Sequence, residues 1–406
     1  MGRTVRVILG LTMLFTACGE APEAGQTPRP TSPIASASTS PSTAGPALLA
    51  SPTPPPLLVR RCPVSPMPYD ATALQSGRLL YLTGDWLGVR SFYLATGSLE
   101  SARPIMESVR EGAHWAISGE GTHMLFTDIE GGNVVGFRVV STLDGVTLEH
   151  PWQDSWPDIQ RYPHNGEPTI LYWWDEGTVY YVAEDNSRVL LSAQTGALLQ
   201  RLAWVEGAID WSPDGQLVVA ADGEGPPELR DAESGEVIAV LQVGETTRIG
   251  GPTWARDGED FAYDSGYPAE EIYVYDRYGR GGKATDLSSI FSYFGVLSMR
   301  WSHDGRNLAI WANARRLGDE PSGRPGEIGF YTYEVPSGTL THYCHSWQPP
   351  EERGLSDVGL LFAFWSPDDS QVLVVAQGNK PGALIDVETG VTYALPEGVF
   401  GWRLVP

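Results

Sequence analysis

Few residues of this 406-residue sequence are arranged for chemistry. Of its three cysteines, Cys62 and Cys344 remain once Cys18 is assigned to the N-terminal leader. In an exported protein an even pair of cysteines favours a disulfide, and the alternative is two buried thiols. His342, Cys344 and His345 could suggest a metal site, but on a strand residue 345 faces away from the other two, and no fourth ligand is evident. We predict a Cys62–Cys344 disulfide and no bound metal.

Enzyme motifs are missing from the sequence. It has no G-x-S-x-G nucleophile motif, no H-E-x-x-H zinc motif, no P-loop and no C-x-x-C-H haem motif. Aspartates recur at regular intervals, and their repetition indicates turn formation rather than paired catalytic carboxylates. No side chain stands out as a nucleophile, so we predict no catalytic residue and no cofactor.

The charge of the chain limits its partners. Acidic residues number 50 against 27 basic ones, a formal net charge of −23. Such a surface repels phosphate backbones, because nucleic-acid affinity depends on Lys and Arg contacts. It also disfavours anionic lipid headgroups, apart from a covalent anchor. We interpret the charge first as a source of solubility, and second as a site for cations or a basic partner.

The N-terminus has the order of an export signal. Two arginines precede an apolar run from Val7 to Phe15, and small residues follow before Cys18. The run is too short to span a bilayer, which takes ~20 helical residues. Cys18 after Thr16-Ala17 resembles the lipobox of bacterial lipoproteins, in which this cysteine carries the lipid, although Phe15 stands where Leu is preferred. We predict a signal peptide over residues 1–17; the alternative is an ordinary cleaved signal and a secreted protein.

A low-complexity segment follows the cysteine. Residues 19–57 are almost entirely Pro, Ser, Thr, Ala and Gly, and they hold too little apolar surface to offset the entropy of folding. We predict that residues 18–57 are a lipidated cysteine and a disordered tether. The tether would hold a folded domain, residues 58–406, outside the cytoplasmic membrane.

A repeat dominates the rest of the chain. An apolar run ends at a Trp, a polar turn with Asp and Gly follows, and a second apolar run comes next; this pattern is typical of two strands joined by a tight turn. The second strand is apolar because neighbours cover both its faces, and the third and fourth strands should become more polar outward. The copies lie about 40–60 residues apart, which is close to the length of one propeller blade. They begin at Trp115, Trp173, Trp211, Trp254, Trp301 and Trp365.

These phrases, such as Trp-Ser-Pro-Asp-Gly at residues 211–215, resemble the WD-repeat-like units of TolB-type propellers over residues 70–406. The chain ends in Val399–Val405, a first strand with its Trp402 and no continuation, whereas Arg78–Leu82 begins a unit without a preceding Trp. The C-terminal strand should therefore complete the first sheet. We predict an all-β fold, a single propeller of seven four-stranded blades, or of eight if residues 57–75 add strands of their own.

Insertions between strands indicate where a ligand could bind. Three long ones interrupt the repeat, at residues 150–168, 311–327 and 346–359, and such connections lie at the same end of a propeller ring. We predict a binding face there; the alternative is that its aromatic residues pack their own loops. The candidate residues are Trp152, Trp156, Tyr162, Arg315 and Arg316.

Two function classes follow from these observations. The first is a non-catalytic binding or scaffold protein that is lipid-anchored at the cell surface and docks a protein or a cell-wall glycan; we expect it to be a monomer. The second is a lyase, lactonase or glycan hydrolase that uses the propeller channel. The fold by itself does not choose between them.

Overall fold

The computed structural model of the protein describes the following residues: 57–62, 66–68, 78–83, 90–95, 103–109, 114–130, 133–158, 171–221, 225–243, 249–264, 271–316, 327–347, 361–376, 382–395 and 399–403. All of them belong to one compact unit, Thr53–Pro406. The predicted leader and tether lie outside the described residues, except that the first strand begins at Leu57.

Seven antiparallel sheets stand as blades in a ring, which confirms the predicted seven-bladed β-propeller. Two short strands precede the blades. Blades two to seven take their four strands in chain order from the channel outward, and blade one has β30 as its innermost strand. The strands are β1 (Leu57–Arg60) and β2 (Met67–Pro68); β3 (Arg78–Thr83), β4 (Arg90–Ala95) and β5 (Arg103–Val109) in blade one; β6 (His114–Ile117), β7 (His123–Glu130), β8 (Asn133–Ser141) and β9 (Thr147–Pro151) in blade two; β10 (Tyr172–Trp173), β11 (Thr178–Val182), β12 (Arg188–Ser192) and β13 (Leu198–Leu202) in blade three; β14 (Ala208–Trp211), β15 (Leu217–Ala220), β16 (Glu228–Asp231) and β17 (Val237–Val240) in blade four; β18 (Thr253–Trp254), β19 (Asp260–Asp264), β20 (Glu271–Asp276) and β21 (Gly281–Asp286) in blade five; β22 (Phe291–Trp301), β23 (Asn307–Arg316), β24 (Glu327–Glu334) and β25 (Thr339–Trp347) in blade six; β26 (Leu361–Trp365), β27 (Gln371–Ala376), β28 (Ala383–Asp386) and β29 (Thr392–Ala394) in blade seven; and β30 (Val399–Arg403).

The turn between the first and second strands repeats one hydrogen-bond pattern. In blade four, Ser212 donates its hydroxyl to Asp214 Oδ1 at 2.6 Å and accepts the backbone N–H of Leu217 at 2.9 Å. Gly215 adopts φ 70°, a left-handed conformation that glycine takes without strain. The turns of blades six and seven repeat both serine bonds, with Ser302 and Ser366 in place of Ser212. The repeated Asp is therefore a turn residue in these blades.

The repeated Trp joins neighbouring blades. The indole N–H of Trp173 donates to the Ala116 carbonyl of the preceding blade at 3.2 Å, and that of Trp301 donates to Thr253 at 2.9 Å. Trp365 donates in the same way to the Arg300 carbonyl at 3.3 Å. In these three blades the Trp at the end of the inner strand thus fills the wedge between two sheets and also satisfies its own polar atom. The buried indole N–H groups of Trp211 and Trp254 have no hydrogen-bond partner among the described residues.

Burial decreases from the second strand to the fourth. All four residues of β15 are buried, because neighbouring blades cover both faces of this strand. The outer strands β13 and β17 are mostly exposed, whereas β25 of blade six is mostly buried. The outer strand of blade four is apolar, which differs from the sequence prediction. β17 reads Val-Ile-Ala-Val, and three of its four residues are exposed. In this strand an apolar sequence does not indicate that the side chains are buried.

The ring contains strands from both ends of the folded unit. In blade one, β30 lies beside β3 as an antiparallel partner, with Leu79 opposite Trp402 and Leu80 opposite Gly401. The C-terminal strand is thus the innermost strand of the sheet that begins with β3. Leu79 and Leu80 are fully buried.

The segment before β3 extends existing sheets. β1 adds to the outer strand β25 of blade six, and β2 adds to the outer strand β29 of blade seven, both in parallel. Sheets six and seven therefore have five strands each. The described part of residues 57–75 forms no eighth blade, so the second-choice architecture of eight blades is not the one observed.

Candidate functional site

The aromatic residues of the first insertion pack against the propeller. Trp156 is only 3 % exposed and lies in the core between blades two and three, stacked with Phe137 at a centroid distance of 5.8 Å. Trp152 contacts Trp156 edge-on at 5.1 Å and Tyr181 of blade three at 5.2 Å. Trp156 is thus buried in the structure rather than presented to solvent, because a long connection needs an apolar anchor of its own. Tyr162 lies outside the described residues.

The predicted arginines lie on blade six. Arg315 and Arg316 end β23, are half-buried, and pair in register with Tyr293 and Phe291 of β22. The Ser292 hydroxyl donates to both of their carbonyls at 3.3 Å. These arginines and the aromatic pair therefore belong to separate blades that lie three steps apart around the ring.

A disulfide joins Cys62 to Cys344, whose Cα atoms lie 5.1 Å apart. It follows β1 directly and attaches the N-terminal segment to the outer strand of blade six. Next to it, Arg61 donates its backbone N–H to the His342 carbonyl at 2.9 Å and its side chain to the Val387 carbonyl of blade seven. We call residues 57–68 the N-terminal strap, since they bind the outer edges of the last two blades.

The end of the ring that carries the Trp-Ser-Pro-Asp-Gly turns is cross-linked by charge. Arg256 of blade five forms an ion pair with Glu120 of blade two, although these blades lie three steps apart. Between adjacent blades, Arg277 bonds Asp214 at 2.8 Å, and His303 bonds Asp369 at 2.7 Å. The pair of Arg256 and Glu120 spans this mouth of the channel, so the mouth is narrowed there.

Inside the ring, one arginine faces the channel beside an aromatic residue. The guanidinium carbon of Arg300, on inner strand β22, lies 5.1 Å from the ring centroid of Phe364 on inner strand β26. Water reaches the Arg300 side chain, yet the surrounding protein lowers the pKa of its guanidinium through desolvation. Because the innermost strands of a propeller line its channel, we assign the Arg300 side chain to the channel.

A second charged group lies on inner strand β14. Asp210 Oδ1 is 3.7 Å from Arg188 Nη1. Desolvation raises the pKa of Asp210 to about 6, and the Arg188 charge opposes this shift. Arg188 also lies over the Trp211 ring at 3.8 Å and donates to the Ile209 carbonyl at 3.4 Å. This carboxylate therefore has a partner at the seam of blades three and four.

Sequence reasoning did not identify Arg300 or Asp210. A signal was present, since each immediately precedes a repeated Trp and pairs with the same register position of the second strand. The residue before the Trp differs from blade to blade, with Asp210, Thr253, Arg300 and Phe364 in blades four to seven. A position that varies inside a repeat is free of the repeat's structural demands and is a candidate for function.

The outer edges of blades three and four are apolar and exposed. Leu199 of β13 is 56 % exposed and Val240 of β17 is 61 % exposed, and Leu198, Val237 and Ile238 beside them are also exposed. A cleft of about 550 Å³ lies between β13 and two turns of blade four, those at residues 215–216 and 231–233. Its polar lining comes from Gln200, Arg201, Gln216, Asp231 and Glu233. We call the two strands and this cleft the blade 3–4 rim.

Neither a metal-binding cluster nor a membrane-spanning helix is found among the described residues. The described residues contain no group of three or more His, Cys, Asp or Glu side chains that could hold a metal ion. Within that part of the chain, no helix has the length and apolarity needed to cross a bilayer.

Several solved structures are similar to this chain over most of its length. No protein-family model matches the chain. Similar solved structures include KlHsv2 with loop 6CD replaced by a Gly-Ser linker, at a TM-score of 0.45 and 10% identity over 78% of this chain and 93% of that chain. A chain of the mitotic checkpoint complex, a WD40-type propeller, has a TM-score of 0.42 and 14% identity over 85% of this chain and 96% of that one. A functionally unknown protein from Desulfotomaculum acetoxidans DSM 771 has a TM-score of 0.46 and 12% identity over 81% and 97% of the two chains.

Proposed function

We propose that the protein is an exported, lipid-anchored β-propeller that acts as a non-catalytic binding protein at the cell surface. The export signal, Cys18 and the resemblance to TolB-type repeats support the location. The observation that carries the binding role is the blade 3–4 rim. There two outer strands expose apolar side chains and free sheet edges, which monomeric proteins usually cover or charge.

The protein itself shows how such an edge is occupied. β1 and β2 are short extended segments, and each adds in parallel to the outer strand of a blade. The outer strands of blades three and four are the fourth strands of four-stranded sheets, with no added strand among the described residues. An extended segment of a partner protein would bind there by the same main-chain hydrogen bonds.

The chemistry of the edge defines the partner. The run from Val237 to Val243 contains no charged residue, so its counterpart is an apolar, β-branched segment. The chain as a whole is strongly acidic, with a net charge of −23. Lys or Arg at the ends of the partner segment would therefore be favoured. The proposed partner is a protein segment with an apolar centre and basic flanks.

We expect Ile238→Lys to abolish this binding without loss of stability. A lysine on an edge strand opposes the addition of another strand, and an exposed site tolerates the change within about 0.5 kcal/mol of unfolding free energy. The measurement is selection of a displayed random-peptide library on the full-length protein. Selected peptides should have the proposed composition and bind Ile238→Lys at least tenfold more weakly.

The matched control is Val146→Lys, an equally apolar exposed site, 55 % exposed, on blade two. It should bind the selected peptides as the wild type does. Peptides that bind Ile238→Lys and the wild type equally, or selection that enriches no apolar strand, would contradict the proposal.

The anchor has a separate test at Cys18. We expect the wild-type protein to incorporate labelled fatty acid and to sediment with membranes, because the lipidated cysteine is the proposed attachment point. Cys18→Ser should lose both the label and the membrane association. Substitution of Phe15 by Leu, the residue preferred in the lipobox, should retain both. Recovery of unlabelled wild-type protein in the medium would identify a secreted protein instead.

A further inference from the structure

We propose that the propeller channel holds a binding site for a small oxyanion, a carboxylate or phosphate group, centred on Arg300. The site is separate from the blade 3–4 rim and does not depend on the proposed function.

The first support is the rigid placement of Arg300. It pairs in register with Ala309 of β23, which is buried. Its carbonyl accepts the indole N–H of Trp365 at 3.3 Å, so the neighbouring blade holds the backbone. Phe364 of the same neighbouring blade covers the guanidinium at 5.1 Å. A backbone and side chain held on both sides present the guanidinium in a defined direction, as a preorganised site requires.

The second support is its charge. Twelve ion pairs are formed between described residues, and Arg300 takes part in none of them. Asp210, the carboxylate on another inner strand, already has Arg188 as its partner. Arg300 is exposed to solvent and forms no ion pair among the described residues, so its guanidinium is available to an anion. An anion in the channel would supply an ionic partner.

The third support is the geometry of the side chain. A guanidinium is planar and donates pairs of parallel hydrogen bonds, which match the two oxygens of a carboxylate or phosphate. Phe364 lies against the group by a cation–π contact, and such a contact leaves the N–H edge available. We expect the ligand to be small, because the acidic exterior repels extended polyanions.

The test is calorimetric titration of the full-length protein in detergent with inorganic phosphate, and separately with benzoate. We expect saturable binding of at least one probe, with one site per chain. Arg300→Gln should weaken it at least tenfold, and Arg300→Lys should retain part of it because the charge remains. The thermal midpoint should change little, because Arg300 is exposed and forms no ion pair among the described residues. If Arg300→Gln does not fold, Arg300→Met provides the same loss of charge with an apolar side chain.

The matched control is Arg280→Gln, which removes an exposed guanidinium that pairs with Asp276 at 2.7 Å on blade five. This variant should bind as the wild type does. Absence of saturable binding to the wild type, or equal binding by Arg300→Gln, would overturn the proposal. An equal loss in Arg280→Gln would do so as well, since it would indicate binding to the general surface. None of these results affects peptide binding at the rim, so the two proposals fail separately.

Discussion

Loss of the Cys62–Cys344 disulfide, in a Cys62→Ser/Cys344→Ala variant, should lower the free energy of unfolding by about 2–5 kcal/mol. The bond closes a loop of 282 residues, which places it at the upper end of the chain-entropy effect. It also holds the N-terminal strap, because β1 and the Arg61 bonds continue directly into Cys62. Denaturant unfolding of the oxidised wild type and the variant measures the change.

Reduction provides the internal control for this prediction. A reducing agent should lower the stability of the wild type to that of the variant and leave the variant unchanged. Hydrogen exchange should then increase first in β1 and β25, since these strands pair next to the disulfide. Equal stability of the oxidised and reduced wild type would contradict the prediction and would leave the strap held by its backbone hydrogen bonds alone.

Removal of β30 by a stop after Gly398 should have the largest effect. It uncovers the inner edge of β3, where Leu79 and Leu80 are fully buried beside the C-terminal strand. Exposure of these two side chains costs about 3–6 kcal/mol, which is comparable with the whole stability of a domain. The backbone groups of β3 that pair with β30 would also lose their partners. We expect loss of the cooperative thermal transition and the appearance of aggregates in gel filtration.

A stop after Arg403 is the control for this truncation. It removes only residues beyond β30 and should preserve the transition. A chain ending at Gly398 that unfolds at the wild-type temperature would show that the ring does not depend on the pairing of β30 with β3.

Much of the fold was accessible from the sequence because its signals are local. The Ser, Asp and Gly of residues 212–215 act within one turn, and their bonds reach no further than Leu217. The same short pattern recurs in several units, which indicates stacked sheets. The number of blades followed from counting these units, and the structure confirms seven.

The candidate sites were less accessible for the same reason. Trp156 was predicted on a binding face from its place in a long insertion, but its neighbours Phe137 and Tyr181 come from two different blades and bury it between them. Val237 and Ile238 belong to an outer strand, which was expected to be polar, yet this strand is apolar and mostly exposed. Whether an aromatic or aliphatic side chain is covered depends on blades that the local pattern does not describe.

The repeated turns were therefore determined by the sequence alone, since each depends on residues a few positions apart, and the number of repeats predicted the seven-bladed ring. Only the tertiary structure decided the use of the surfaces around that ring. It directed the strap to blades six and seven, left the edge of β17 uncovered and placed the Arg300 guanidinium in the channel without an ion pair among the described residues. The physical reason is distance along the chain. Burial and charge pairing at these sites are set by contacts such as that of Cys62 with Cys344, 282 residues away, which no local pattern encodes.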